Sequence, residues 1–393
     1  MLFRFLSVIF ILCSISNVNA AQYNSFKKKL SNSINTELNK FSVPGAAYVV
    51  VKGDKVIAIE SFGYTDKTNK QKINENTVFR LASVSKPFAA TIATMLSQEK
   101  KLNLSDPITK FLPNFALASK GAAEKIQLTH LLSHSTGLMP NAYDNLLHEN
   151  WSMAKIISRF DRVTPICQPA KCYGYQNIAY GFLQPAIEAV TKRSYASLLQ
   201  ERVFTPLKMD NASVGIDVFL TKNNTAQPHI LRKRVKTGKK TRAGKDIRRY
   251  VWRTVNVEPD YYKVAPAAGV NASITDLSKW LIANLGNNPE VLSPALLSEL
   301  TTPRIKTKKD LRRRYWREHL TDAHYGYGWR IYQFAGHPII YHSGWVAGYR
   351  ADIGYSPTLD IGFAILINAE SNVINKISSD FWTQAQQVFD NVD

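Results

Sequence analysis

The chain has 393 residues, 45% of them hydrophobic and 11% aromatic, so it can bury a large core without metal or disulfide support. This composition excludes an intrinsically disordered protein, and no low-complexity linker or internal repeat divides the chain. The formal net charge of +20 excludes an acidic protein and favours anionic partners.

Residues 1–20 have the pattern of a secretory signal peptide. Arg4 precedes an apolar run over residues 5–15, and small residues occupy the positions that a signal peptidase recognises before its cleavage site. The apolar run is shorter than the roughly 20 residues that a membrane-spanning helix needs. We therefore expect cleavage after residue 20 and a single mature module, residues 21–393, that is periplasmic or secreted. An uncleaved membrane anchor is the alternative.

The elements that follow predict an α/β fold. After a polar amphipathic stretch at 26–41, β-forming runs at 46–51 and 56–59 flank Gly53-Asp54 and predict a β-hairpin. The middle of the chain is helical in period, chiefly at 89–98, 180–191, 197–204 and 276–285. Strand patterns return at 327–334, 339–342, 348–355 and 361–368, before a helix at 377–388. We expect a mostly antiparallel sheet built from both termini, flanked by terminal helices, with an all-helical lobe inserted.

The segment Ser83-Val84-Ser85-Lys86 has the S-x-x-K pattern of a serine nucleophile with a lysine base. The same pattern also begins at Ser25, Ser97 and Ser152, so the tetrad alone is weak evidence. Only Ser83 joins an extended segment, 77–81, to a helix whose first turn accepts Pro87. Residues three apart on that turn share a face, and the helix N-terminus favours a developing oxyanion. Lys86 can act as a base if burial or a nearby cation lowers its pKa.

The stretch at 77–88, TVFRLASVSKPF, resembles the nucleophile segment of the β-lactamase-related serine hydrolases. That superfamily includes class C β-lactamases, D-alanyl-D-alanine carboxypeptidases, D-amino-acid peptidases and family VIII esterases. Further similar stretches are LTHLLSHSTGL at 128–138, AAGV at 267–270 and YGYGW at 325–329. The resemblance implies a β-lactamase/transpeptidase-like fold and an acyl-enzyme on Ser83, with no cofactor and no metal.

The second motif of that superfamily, Y-x-N, resembles Tyr175-Gln176-Asn177. The resemblance implies that Tyr175 relays a proton to the leaving group and that Asn177 holds Lys86 and the substrate's amide carbonyl. Whether Lys86 or Tyr175 is the acylation base stays open. The alternative for Tyr175 is a turn residue that packs on the core.

The third motif is K-T-G or H-x-G on a strand beside the nucleophile. The literal match, Lys236-Thr237-Gly238, lies in a basic run without strand alternation, so we prefer His342-Ser343-Gly344, which ends an apolar strand. His342 can hold a substrate carboxylate when protonated, or only donate a hydrogen bond when neutral. The resemblance implies an oxyanion hole formed by the backbone amides of Ser83 and Trp345. Because class C β-lactamases typically carry lysine here, a D,D-peptidase or esterase is favoured over rapid β-lactam turnover.

Two cysteines, Cys167 and Cys172, remain once the predicted leader is removed. In an oxidising compartment they predict a disulfide that stiffens the segment ahead of Tyr175, and two free thiols are the alternative. His130 and His134 have the spacing of zinc ligands, but the glutamate of H-E-x-x-H is absent. We therefore expect them to be structural and predict no metal site.

Most of the positive charge lies in two short windows. Residues 232–253 hold eleven Lys and Arg against Asp246, and residues 304–317 hold eight against Asp310. The two windows end in similar sequences, RRYVWR and RRRYWR, which place aromatic side chains beside the charges. Such segments attract an anionic membrane or a cell-envelope polymer, whereas nucleic acid is disfavoured because no reader motif is present. A merely solvated charged face is the alternative.

These observations predict an exported serine hydrolase that cleaves an amide or ester bond in a small peptide or ester substrate. The alternative is a slow or inactive protein of the same fold that acts as an envelope-binding or anionic-surface-binding module. An intact set of Ser83, Lys86, Tyr175 and His342 argues against that alternative.

Overall fold

The computed structural model describes residues 22–66, 68 and 71–390. The predicted signal peptide, residues 1–20, lies outside this part of the chain. None of the helices formed by the described residues has both the length and the apolar character that a bilayer crossing requires.

An eight-stranded antiparallel sheet draws its strands from both ends of the chain. β1 (Gly45–Lys52) and β2 (Lys55–Gly63) form the predicted hairpin. The other strands are β3 (Phe79–Arg80), β4 (Ser213–Val214), β5 (His229–Lys240), β6 (Asp246–Thr254), β7 (Val270–Ala272), β8 (Ile305–Lys306), β9 (Leu320–Tyr325), β10 (Arg330–Phe334), β11 (His337–Val346), β12 (Tyr349–Ser356) and β13 (Ile361–Ile367). The sheet order is β2-β1-β13-β12-β11-β10-β9-β8, which confirms the predicted sheet from both termini.

Most of the helices lie between the strands of the two ends. They are α1 (22–40), α2 (Ser85–Gln98), α3 (Leu128–Leu132), α4 (Asp144–His148), α5 (Met153–Ser158), α6 (Asn177–Gly181), α7 (Leu183–Thr191), α8 (Tyr195–Leu199), α9 (Ile216–Thr221), α10 (Ala265–Ala268), α11 (Ile274–Ile282), α12 (Pro294–Thr301) and α13 (Val373–Phe389). α11 begins with a capping box in which Ser273 and Asp276 satisfy each other's backbone amides. The predicted α/β class with terminal helices is therefore confirmed.

The two faces of the sheet carry separate hydrophobic cores. On one face α1 buries four apolar residues at four-residue intervals, Phe26, Leu30, Ile34 and Leu38, beside Phe381 and Trp382 of α13. The other face packs against the central helices, where Phe88 of α2 stacks on Trp280 of α11 with ring centroids 4.2 Å apart. The sheet thus separates a two-helix layer from the helical region that begins with α2.

The inserted region is mostly, but not entirely, helical. It also contains a small three-stranded sheet of order β3-β7-β4 and a separate hairpin of β5 and β6. That hairpin contains the first basic window, so residues 232–253 form strands although their sequence lacks the alternation typical of strands. Most of its side chains are exposed, and a ribbon that buries so little of either face needs no alternation of apolar and polar residues.

The predicted disulfide between Cys167 and Cys172 is present, with a Cα separation of 6.3 Å. Its loop is bonded along the backbone to the turn after α3. The amide of Ile166 donates to the carbonyl of Gly137 at 2.8 Å, and that of Ala170 donates to Ser135 at 2.8 Å. The crosslink therefore stiffens a segment that ends shortly before Tyr175.

Replacing both cysteines, Cys167→Ser with Cys172→Ser, is expected to lower the free energy of unfolding by about 2 kcal/mol. A short closed loop restricts the unfolded chain by that order of magnitude. Urea denaturation of the two proteins measures the difference, and reduced wild-type protein serves as the control. An unchanged unfolding midpoint would show that the crosslink is not a stabilising constraint.

Candidate active site

Ser83 lies in a strained turn at the start of α2. A single 3-10 turn, Ala82–Val84, connects β3 to α2, and the buried Ala82 has a φ of 50°. A left-handed conformation costs a residue with a Cβ about 1 to 2 kcal/mol. The amide of Leu81 donates to the carbonyl of Val270 at 3.0 Å, which fixes the strand side of the turn. Ser83 itself stays partly exposed, so a substrate can reach its hydroxyl.

Lys86 lies one helical turn further along and is completely buried. Its Nζ is 3.3 Å from Ser83 Oγ, 2.7 Å from Asn177 Oδ1 and 3.1 Å from the carbonyl oxygen of Ala267. Burial lowers the pKa of Lys86 well below its usual value, against the opposing effect of the Asp144 carboxylate. An amine that loses its proton this readily can accept the proton of Ser83.

Tyr175 forms the wall of the site opposite α2. Its phenol lies near enough to Ser83 for that hydroxyl to lower the pKa of Tyr175, and the Nζ of Lys86 lies 4.6 Å from the centre of its ring. Burial raises the pKa of Tyr175 above 10, so the phenol keeps its proton at neutral pH. Because the pKa of Lys86 is lowered and that of Tyr175 is raised, Lys86 is favoured as the acylation base and Tyr175 as a proton donor.

Asn177 holds Lys86 and is itself held by Asp144 of α4. The Asn177 side chain accepts from Lys86 through Oδ1 and donates through Nδ2 to Asp144 Oδ2 at 2.7 Å. The carboxylate thereby fixes which end of the amide faces the amine. Asp144 was not among the predicted site residues because it belongs to no motif, and only the fold brings α4 against the start of α6.

His342 is buried in the site as a neutral imidazole. Its Nδ1 is 3.0 Å from the carbonyl oxygen of Ser343, and its Nε2 is 2.9 Å from the Tyr325 hydroxyl. Burial lowers the pKa of His342 well below its usual value, and the nearby Arg330 and Lys86 lower it further. With these partners Nδ1 donates and Nε2 accepts. The imidazole therefore carries no charge for a substrate carboxylate, and its one N–H is engaged by the backbone.

His130 and His134 also have protein partners. The Nδ1 of His130 accepts from the amide of Gln127 at 3.1 Å, and the Nδ1 of His134 accepts from the amide of Gln176 at 3.2 Å. The buried ring of His134 contacts four tyrosine rings, those of Tyr173, Tyr175, Tyr180 and Tyr325. It therefore ties the turn after α3 to the segment that carries Tyr175.

β11 brings the rest of the preferred third motif to the nucleophile. A Cβ on Gly344 would lie 2.1 Å from the carbonyl oxygen of Leu81, so only glycine lets the strand pass this close to the Ser83 turn. Ser343 is partly exposed, and Trp345 is 59% exposed with the Arg350 guanidinium 4.5 Å from its ring centre. The expected oxyanion hole at the amides of Ser83 and Trp345 stays a prediction.

The rejected match, Lys236-Thr237-Gly238, lies on the exposed β5–β6 hairpin. Lys236 pairs there with Asp246 at 2.8 Å, and the Thr237 hydroxyl donates to the carbonyl of Ile247. Hairpin pairing therefore engages both side chains.

Comparison with known proteins agrees with this geometry. Residues 32–381 match the family model described as Beta-lactamase. The chain belongs to the beta-lactamase family. A serine hydrolase-type fold follows from this membership, as the resemblance of the 77–88 segment implied.

Curated relatives of this beta-lactamase family member are distant. Protein flp of Staphylococcus aureus (strain MRSA252) is 24% identical over 363 residues, which are 92% of this chain and 66% of flp. The unguisins hydrolase ungD' of Aspergillus campestris is 23% identical over 346 residues, covering 85% of this chain and 60% of that protein. The chain thus spans about two thirds or less of the length of these relatives.

A similar solved structure is that of the octameric penicillin-binding protein homologue from Pyrococcus abyssi. It has a TM-score of 0.74 and 24% identity, covering 92% of this chain and 77% of that one. A likeness at this identity shows the shared β-lactamase/transpeptidase fold.

Replacing the carboxylate next to Asn177, Asp144→Asn, is expected to move the acid limb of the acylation rate to lower pH. The Asp144 carboxylate raises the pKa of Lys86, so its removal lets the amine lose its proton in more acid solution. Rates of fluorophosphonate labelling across pH measure the shift. Asp161→Asn, an exposed carboxylate on the short turn after α5, is the matched control. A limb that stays in place or moves to higher pH would contradict this role of Asp144.

Proposed function

We propose that this chain is an exported serine hydrolase that cleaves uncharged esters and small amides through an acyl-enzyme on Ser83. The observation that carries the proposal is the buried amine of Lys86, whose pKa is lowered, 3.3 Å from Ser83 Oγ. A serine hydroxyl is a weak nucleophile until an adjacent base takes its proton. The family membership supports the same class of reaction.

In the proposed reaction Lys86 accepts the Ser83 proton as the oxygen attacks the substrate carbonyl carbon. The Tyr175 phenol, next to that oxygen, donates its proton to the leaving group, and the proton that Lys86 took from Ser83 then restores the phenol. Water then attacks the acyl group and releases Ser83. The backbone amides of Ser83 and Trp345 would bind the oxyanion, each contributing about 3 kcal/mol in the transition state.

The charge and exposure of the site favour uncharged substrates. His342 is neutral, and the guanidinium of Arg330 is already paired with Asp310 at 2.5 Å, so neither presents a free cation to a substrate carboxylate. Two exposed apolar side chains, Met139 and Trp345, belong to segments next to Tyr175 and His342. Among the relatives, ungD' is named as a hydrolase, which supports bond hydrolysis without specifying this chain's substrate.

Labelling with a fluorescent fluorophosphonate is expected to be lost in Ser83→Ala, with the rate falling roughly 10⁴-fold or more. Ser97→Ala is the matched control, because Ser97 begins another S-x-x-K match at the far end of the same helix. Wild-type labelling of the Ser83→Ala variant would place the nucleophile elsewhere. No labelling of the wild-type protein by either fluorophosphonate or fluorescent penicillin would favour the binding-module alternative.

Substrate charge is tested with diacetyl-Lys-D-Ala-D-Ala and its C-terminal amide, which differ only in the terminal carboxylate. The amide is expected to be hydrolysed at least as fast as the acid, and a short neutral ester such as p-nitrophenyl butyrate faster than both. Measured values of kcat/KM decide the order. A preference of about tenfold for the acid, equivalent to about 1.4 kcal/mol, would require a cationic subsite and contradict the proposal.

A further inference from the structure

A cleft joins the two basic windows on the side of the sheet covered by α1 and α13. It has a volume of about 610 Å³ and is lined from the β5–β6 hairpin by Arg234, Tyr250 and Trp252 and from the second window by Arg313, Arg314 and Tyr315. Its size is that of a ligand pocket, for which 300 to 1,000 Å³ is typical. We call this feature the arginine cleft.

Three guanidinium groups in the arginine cleft have no carboxylate partner among the described residues. Arg313, at the partly buried floor, donates to neutral groups: the hydroxyls of Tyr332 and Tyr341 and the Oδ1 of Asn375. The exposed side chains of Arg234 and Arg314 contact tyrosine rings, with their guanidinium carbons 5.2 and 5.0 Å from the ring centres. Guanidinium groups that make no ion pair and line one cavity favour a bound oxyanion.

The acidic lining of the cleft is already engaged. Glu370 accepts a hydrogen bond from the amide of Gly348 at 2.9 Å. Lys376, the other cation of the lining, is instead neutralised by Asp380 and by Glu37 at 3.5 Å. Glu370 has no ion pair among the described residues, so its carboxylate offsets part of the charge, and the lining stays net positive through its three arginines.

The backbone holds one wall of the cleft in a costly conformation. Tyr315 has a φ of 74°, which is rare for a residue with a bulky side chain. Its carbonyl accepts a hydrogen bond from Ser379 of α13 at 2.6 Å, which fixes this turn against the helix. Strained residues of this kind concentrate at binding and active sites.

The arginine cleft is separate from the nucleophile. Successive residues of a strand point to opposite faces of a sheet. On β11 the Tyr341 hydroxyl contacts Arg313 at the cleft, whereas the next residue, His342, contacts Tyr325 in the active site. A ligand of the cleft would therefore bind on the face of the sheet opposite to the active site.

We propose that the arginine cleft binds an acidic polysaccharide, with one carboxylate on Arg234, Arg313 and Arg314. Further acidic groups of the polysaccharide would lie along the exposed β5–β6 hairpin, whose remaining Lys and Arg residues extend the positive charge. A flat lipid surface fits less well, because Arg313 lies at the floor of a cavity and not on a protruding face.

Single-stranded nucleic acid fits less well than a saccharide because the aromatic rings are already covered. The Tyr250 ring lies 5.0 Å from Phe41 and 6.4 Å from Trp252, and Arg234 covers it further. Trp252 is buried and donates through Nε1 to the carbonyl of Phe41 at 3.0 Å. Base recognition by stacking needs free ring faces, which this wall does not offer.

The test measures binding of tetragalacturonate to the full chain by isothermal titration calorimetry. The double variant Arg234→Gln with Arg314→Gln is expected to weaken binding about tenfold or more, because hydrogen bonds to charged groups are lost. Neither side chain has an ion pair in the described structure, so an unchanged melting temperature is expected to accompany the loss. The control Lys55→Gln with Lys125→Gln removes the same charge from exposed positions elsewhere and is expected to change binding less than twofold.

Binding is measured in the Ser83→Ala background as well, so the result is independent of the proposed hydrolase activity. If both double variants bound tetragalacturonate equally weakly, net charge alone would explain the binding, and the proposal would be overturned. Absence of tetragalacturonate binding, or binding no tighter than that of neutral maltotetraose, would also overturn it. Tighter binding to phosphatidylglycerol vesicles or to oligothymidylate than to tetragalacturonate would assign the cleft to a lipid surface or nucleic acid instead.

Discussion

The buried amine of Lys86 is the constraint on which the rest of the site depends. A neutral amine has two N–H donors and one lone pair. Two of its neighbours, Asn177 Oδ1 and the Ala267 carbonyl, can only accept, and the third is the Ser83 hydroxyl. The two acceptors therefore take the two N–H groups, and the lone pair is left for the hydroxyl proton. The short distances and the burial select the protonation state that a base requires, because an uncompensated ammonium would be costly at this depth.

The ion pair between Arg330 and Asp310 helps to keep Lys86 and His342 neutral. Arg330 is bound to Asp310 at 2.5 Å, and its guanidinium lowers the pKa values of Lys86 and His342. Asp310 is the one acidic residue in the second basic window, so this window contributes to the active site as well as to the opposite face of the sheet. Without that carboxylate the guanidinium would be buried unpaired, which is strongly destabilising. The one acidic residue of this basic window is thus explained by its ion pair with Arg330 on β10.

Local rules in the sequence were sufficient for part of this arrangement. Helical spacing alone predicts that Ser83 and Lys86 share a face, and apolar patterns predict the hairpin and the C-terminal strands of the sheet. Asp144 could not be found in this way, because it contacts Asn177 through tertiary packing and no motif marks it. The β5–β6 hairpin was missed for a different reason: most of its side chains are exposed, so it lacks the alternation by which strands are recognised. The Ala82 turn, with its positive φ, also has no signal in the residue type.

The two faces of β11 explain how a catalytic site and a charged cleft can share one sheet with little interference. Tyr341 and His342 are adjacent, yet they face opposite sides of the sheet and contact Arg313 and Tyr325 respectively. Burial is the main cause of the lowered pKa of His342, and the Arg313 guanidinium adds little to it. An anion bound to Arg313 would therefore offset only a minor part of what keeps the imidazole neutral. Because burial by the fold is the main cause of the lowered pKa values of Lys86 and His342, an anion bound on the opposite face of the sheet would leave the protonation of both groups nearly unchanged.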